Sequence, residues 1–200
     1  MPKTIIHSRY IIHPYRFNLW LAIVAMVMMF AAFTSAYIVK KGNVSGAEWN
    51  MSALPQMFTF STIVIVFSSA LMHVAYLSFR RNNIYLYRLF ITLTCLAGIA
   101  FLTMQMAGWM QWTNKGVTLT TGIAGAFIYI ISGAHFLHVL GGVIALIVFS
   151  VKSFTRLKNP VDSIMENIDP NRQVGVSILA TYWHFVDILW LYLFFFFQYA

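Results

Sequence analysis

The chain has 200 residues, of which 60% are hydrophobic and only 9% charged, against about 25% charged in soluble globular domains. So few charges cannot coat a water-soluble globule, and the chain reads as an integral membrane protein. Its 13 Lys and Arg against 5 Asp and Glu lie in short segments between apolar runs rather than on one patch, which speaks for membrane orientation and against nucleic acid as the partner.

Five apolar runs are long enough to cross about 30 Å of hydrocarbon, which takes roughly 20 helical residues. The expected fold class is all-α, with five transmembrane helices making one domain over residues 1–200. The first run, about 17–39, follows a basic segment but is too long for a signal sequence and ends in Lys40-Lys41, so it is expected to be a retained span. Gly42, Gly46 and Pro55 suit the loop that follows. The second run, about 57–79, carries Ser68 and Ser69, which suit helix–helix hydrogen bonding, and then His73, placed to cap or snorkel near one membrane face. In the third, about 89–112, Gln105 sits among Phe101, Leu102, Met104 and Trp109, and its amide needs a partner away from lipid. The single cysteine, Cys95, excludes an internal disulfide and a paired-Cys metal site.

The fourth run, about 122–151, holds His135 and His138, three apart on one helix face, with small residues on both flanks that let another helix approach. A polar segment with Lys158, Pro160, Asp162, Glu166, Asp169 and Pro170 leads to the fifth run, about 176–198. That run contains Tyr182, Trp183, His184 and Asp187. Ten basic residues (Lys3, Arg9, Arg16, Arg80, Arg81, Arg88, Lys152, Arg156, Lys158, Arg172) fall on one side and three (Lys40, Lys41, Lys115) on the other. The excess places the N-terminus in the cytoplasm and the C-terminus outside.

Two constellations could carry chemistry. His184 and Asp187 share a helix face at a depth where an ionisable group is a functional hypothesis by default; the plainer reading is a buried hydrogen-bonded pair that locks helix packing. His135 and His138 raise a metal or haem reading, because neutral imidazole is a common ligand. They stand only about 4.5 Å apart along the helix axis, which disfavours two stacked haems. One haem or metal between His138 and His184 stays within reach, since they lie about 20 and 12 Å from the cytoplasmic side. The plainer reading is interhelical hydrogen bonding to Ser, Tyr or backbone groups. The sequence shows no internal repeat, phosphate-binding Gly-rich loop or nucleophile elbow.

Four stretches together resemble one family. Tyr182-Trp183-His184-Phe185-Val186-Asp187 with Trp190 and Leu191 resembles the terminal-helix signature of subunit III of the haem–copper respiratory oxidases (cytochrome c oxidase), in its five-helix form. Gly133-Ala134-His135-Phe136-Leu137-His138-Val139 with Gly142 is similar to the family's Gly-x-His-Gly-x-His-Val helix, with Phe136 in place of the usual glycine. Phe101-Leu102 with Gln105 and Trp109, and Trp20 through Phe30-Ala31-Ala32-Phe33 to Tyr37, resemble two further spans. The chain departs from the pattern at Met26, where the family commonly has a buried glutamate, and at Gly108, where it commonly has an acid. Neither residue can bind or release a proton.

The resemblance implies a non-catalytic subunit of a proton-pumping terminal oxidase in a bacterial inner membrane. It implies haems and copper in partner subunits, none in this chain, and bound phospholipid in a cleft. It also implies contact with catalytic subunit I and other oxidase subunits, within or outside a larger respiratory assembly, and support of proton uptake and turnover lifetime. A quinol oxidase or a nitric-oxide-reductase system is the alternative within the resemblance. Outside it, the alternatives are a haem-binding membrane cytochrome using His135, His138 and His184, or a proton-coupled transporter using His184 and Asp187. The lack of an inverted repeat disfavours the transporter.

Overall fold

The computed structural model describes residues 14–44, 54–120, 122–156 and 170–199. Five helices run in chain order: α1 Pro14–Asn43, α2 Gln56–Arg80, α3 Ile84–Asn114, α4 Ile123–Arg156 and α5 Pro170–Tyr199. All five are long and apolar enough to cross a membrane. Each matches an expected span and most overrun it, because a helix satisfies its own backbone hydrogen bonds and need not stop where the hydrocarbon does. Lys3, Arg9, Gly46, Lys158, Pro160, Asp162, Glu166 and Asp169 lie outside the described residues.

Local chemistry sets the turns. α2 ends in a Schellman motif: the Asn83 N–H donates to the Ser78 carbonyl and the Asn82 N–H to the Phe79 carbonyl. Asn82 takes the left-handed position at φ 58°, which asparagine tolerates better than most residues. Asn83 then caps α3, its side chain accepting from the Leu86 N–H at 3.2 Å. So short a connection makes α2 and α3 antiparallel neighbours. α3 ends in the same motif around Gly116, at φ 79°, with the Val117 N–H donating to the Trp112 carbonyl.

α2 packs along α3, α3 along α4, and α5 lies against α2, α4 and α1. One apolar core joins α2, α3, α4 and α5 around Ile65, Met72, Phe101, Val143, Trp183 and Trp190. A second ties α1 to α4 and α5 through Phe30, Tyr37, Ile128, Leu189 and Leu193. α1 is the least enclosed helix, held to α5 by the Tyr192 hydroxyl donating to Thr34 Oγ1 at 3.1 Å. At the other end of the bundle, Arg88 donates through Nε to the Ser153 carbonyl at 2.9 Å and lies over the Phe154 ring. Outward side chains such as Trp20, Met28, Ile63, Phe67, Leu137 and Ile144 are exposed and apolar, as a lipid-facing surface requires.

Candidate functional site

Hydroxyl pairs recur on α2 seven residues apart, Ser61-Thr62 and then Ser68-Ser69, so two helical turns present the same small polar groups to the same neighbours. On α5 two indoles recur at the same interval. Trp183 donates from Nε1 to Ser68 Oγ at 3.0 Å, and Trp190 donates from Nε1 to Thr62 Oγ1 at 2.9 Å. Both tryptophans are fully buried. As numbering rises on α5 it falls on α2, so the bonds are rungs between antiparallel helices. Gln105 of α3 adds a third, donating through Nε2 to Ser61 Oγ at 3.0 Å. Trp109 of α3 makes a fourth with Ser132 of α4 at 3.1 Å.

Trp183 reaches furthest. Its ring lies against two glycines: a Cβ at Gly98 of α3 would stand 2.8 Å from Trp183 Cη2, and one at Gly142 of α4 would stand 3.0 Å from Cζ3. No larger residue at Gly98 leaves room for the ring. A single side chain therefore binds α5 to α2 by a hydrogen bond and to α3 and α4 by close packing. Beside it, the Tyr182 hydroxyl donates to the His138 carbonyl at 2.9 Å.

The histidines separate into different surroundings. His135 is fully buried, stacked on Trp190 with centroids 5.1 Å apart and set edge-on to Phe101. Neither of its ring nitrogens has a hydrogen-bond partner among the described residues. His138 meets Phe30 of α1 edge-on and donates from Nδ1 to the Ala134 carbonyl of its own helix at 2.7 Å. The expected interhelical bonds from these two rings are therefore replaced by aromatic packing and a bond within α4, because Phe30, Phe101 and Trp190 fill the space that a polar partner would need. Among the described residues no three His, Cys, Asp or Glu side chains converge as a metal site would require.

His184 and Asp187 also depart from expectation. His184 bonds through Nδ1 to Ser69 Oγ of α2 at 2.7 Å, not to Asp187. Its ring centroid lies 6.0 Å from that of His73. His73 itself is exposed. Asp187 is 2% exposed. Its carboxyl lies beside Ser69, and neither carboxyl oxygen has a hydrogen-bond partner of good geometry among the described residues. Side chains three apart can meet on a helix face, yet the hydroxyl of Ser69 stands 2.7 Å from the imidazole across the helix interface and takes its Nδ1. Ser69→Ala should therefore lower the stability of the full-length chain in detergent by about 0.6 and at most about 1.7 kcal/mol, the range for one interhelical bond in a membrane. Asp187→Ala should shift thermal unfolding less, since it leaves the His184 bond intact. The reverse order would show that Asp187 has a partner within the chain.

Sequence reasoning found Ser68, Ser69, Gln105, Trp183, His184 and Asp187 but missed Ser61, Thr62, Ser132 and the donor role of Trp190. The seven-residue spacing shared by the hydroxyls of α2 and the indoles of α5 carried the signal for Ser61, Thr62 and Trp190; Ser132 of α4 had none.

At the two positions that depart from the family pattern, packing is explicit. Met26 is buried on α1. A Cβ at Gly108 would stand 2.5 Å from Cε1 of Phe58, so the ring fills the place of a side chain there.

A bundle of five helices long and apolar enough to cross a membrane, joined by indole–hydroxyl bonds, is that of an integral membrane protein. The match to the family described as cytochrome c oxidase subunit III covers residues 4–200, and the chain belongs to that family. A Mycobacterium leprae protein named probable cytochrome c oxidase subunit 3 is 27% identical over 177 residues, 88% of this chain and 81% of that protein. A Corynebacterium diphtheriae cytochrome c oxidase subunit 3 is 26% identical over 173 residues, 84% of this chain and 79% of that protein. A Synechocystis cytochrome c oxidase subunit 3 is 27% identical over 182 residues, 89% of this chain and 72% of that protein.

Proposed function

We propose that the chain is the non-catalytic subunit III of a haem–copper cytochrome c oxidase in a bacterial cytoplasmic membrane, N-terminus inside, assembled with the haem-bearing catalytic subunit and the other oxidase subunits. The observation that carries the non-catalytic part is the use to which the intramembrane polar groups are put. Trp183, Trp190, Gln105 and Trp109 each hydrogen-bond a hydroxyl on a neighbouring helix, which supports a scaffold role. Haem and copper then belong to the partner subunits, and this chain stabilises them during turnover. Support for bound phospholipid comes from an apolar cavity of about 540 Å³ between the first turns of α1, the later part of α4 and the first half of α5, lined by Leu19, Ala145, Phe149, Ile178 and Leu179. Tyr15 and Asn18 stand at its edge, where a headgroup would find polar partners.

The first and third spans offer Met26 and Gly108 where a proton relay would need titratable groups. Gentle removal of the chain from the purified oxidase should therefore leave the haem spectrum and the initial rate of oxygen consumption largely intact, with activity lost sooner in sustained turnover. A changed haem spectrum, or failure already in the first turnovers, would show that the chain contributes directly to the redox centre or the main proton path.

A further inference from the structure

Asp187 is the one acidic side chain among the described residues, and its surroundings are poor in groups that would hold an anion. No Lys or Arg follows Arg172 on α5, precedes Arg80 on α2 or precedes Lys152 on α4. On α1 they stand only in the end turns, as Arg16, Lys40 and Lys41, and the one on α3, Arg88, donates to Ser153 at the far end of α4. The other basic groups along these helices are imidazoles. His135 and His138 pack on Trp190 and Phe30, which leaves His184 and His73 on the side of Ser69. A carboxylate buried without a cation or a hydrogen-bond donor is costly, whereas the neutral acid brings a donor of its own. Beside it, the hydroxyl of Ser69 is placed to pass a proton on. Ser69 Oγ stands 2.7 Å from His184 Nδ1, and the Asp187 carboxyl lies next to the same hydroxyl. A hydroxyl accepts through its lone pairs while it donates its one proton. Burial falls off in the same order: Asp187 is buried, Ser69 and His184 are half-buried, and His73, with its ring centroid 6.0 Å from that of His184, is exposed.

We propose that Asp187, Ser69 and His184 form a proton-holding site, in which Asp187 carries the proton as a neutral acid and exchanges it with water through Ser69 and His184. A turn of the carboxyl about its Cβ–Cγ bond aims its O–H at Ser69 Oγ. The Asp187 O–H bond then breaks as a new Ser69 O–H bond forms, and the original Ser69 proton moves to His184 Nδ1. The products are a carboxylate and an imidazolium, with the total charge unchanged. The imidazolium gives its Nε2 proton to water, and the same steps in reverse refill the acid. A store that fills and empties from one side carries no proton across the membrane, so it needs no titratable group on α1 or α3. The site lies wholly within this chain and does not rest on the oxidase assignment.

The test is infrared spectroscopy of the full-length chain in detergent. With only 5 Asp and Glu in the chain, the carbonyl stretch of one protonated carboxyl can be resolved, and its loss in Asp187→Asn assigns it. In deuterated buffer at neutral pH that band should shift in the wild-type chain before the buried amide protons exchange. Ser69→Ala and His184→Phe should each lower the ratio of carboxyl to amide exchange rates by about a hundredfold, the low end of what a positioned proton-transfer group contributes. Ser69→Thr, which keeps a hydroxyl, should restore the wild-type ratio. Because both rates come from the same sample, a variant that loosens the bundle is still read: opening alone raises both and brings them together. Absence of the band from the wild-type chain would show that Asp187 is ionised. A band that shifts only in step with the amides, or an unchanged ratio in Ser69→Ala, would show that the acid is sealed or is reached by another route. Each of these results would overturn the proposed site.

Discussion

Trp183→Ala should be the most damaging single truncation in this chain, lowering stability by about 3–5 kcal/mol, a large share of the roughly 5–15 kcal/mol that holds an ordinary domain together. The ring is fully buried and touches three other helices, with Gly98 on α3, Gly142 on α4 and Ser68 on α2 all shaped to it. Glycines at which an added Cβ would stand 2.8 and 3.0 Å from the ring have no side chain with which to fill the hole it leaves, so the cavity term is close to its full value. Trp183→Phe separates packing from hydrogen bonding. It keeps part of the ring and loses the bond to Ser68, whose worth in a membrane averages about 0.6 kcal/mol. Unfolding of the full-length chain in detergent, followed by circular dichroism, should order the variants as wild type, then Phe, then Ala, with the larger step at Ala. Equal losses for Phe and Ala would mean that the hydrogen bond, not the ring, carries the joint.

The same contrast explains what was legible in the sequence. The five spans could be read because hydrophobic length is a one-dimensional property: a run of apolar residues either reaches across the hydrocarbon or does not. The polar residues inside the spans were equally visible, since each costs free energy unless satisfied. Their partners were not visible, because pairing depends on rotation and register between helices distant in sequence. His184 and Asp187 looked like a pair along α5, yet Ser69, 115 positions away, takes the imidazole. His135 and His138 looked equivalent by spacing, yet His135 stacks on Trp190 while His138 bonds to the Ala134 carbonyl of its own helix. Nothing along the chain tells why glycine stands at 98, 108 and 142; only the rings of Trp183 and Phe58 show why each has no side chain.

Gly108 makes the second large prediction. Any side chain there meets Phe58, with Cβ 2.5 Å from Cε1 and 2.8 Å from Cδ1. Phe58 cannot swing aside freely, being fully buried with Trp112 and Trp190 each 5.8 Å away between ring centroids. Gly108→Ala should therefore cost about 1–3 kcal/mol by overpacking. Gly108→Glu should cost more, because it adds to the same overpacking a buried carboxylate with a desolvation penalty of several kcal/mol. In a Phe58→Ala background the methyl that Gly108→Ala adds enters vacated space, so the two changes together should be less harmful than the sum of each alone, a coupling of about 0.5–3 kcal/mol between residues in contact. Thermal unfolding of the four chains of this cycle measures it directly. Purely additive losses would show that the Phe58 ring moves away without resistance. A full coupling would mean that glycine at position 108 of the third span is held by packing: the Phe58 ring of α2 fills the place of a side chain there, so any carboxyl at that position must first displace it.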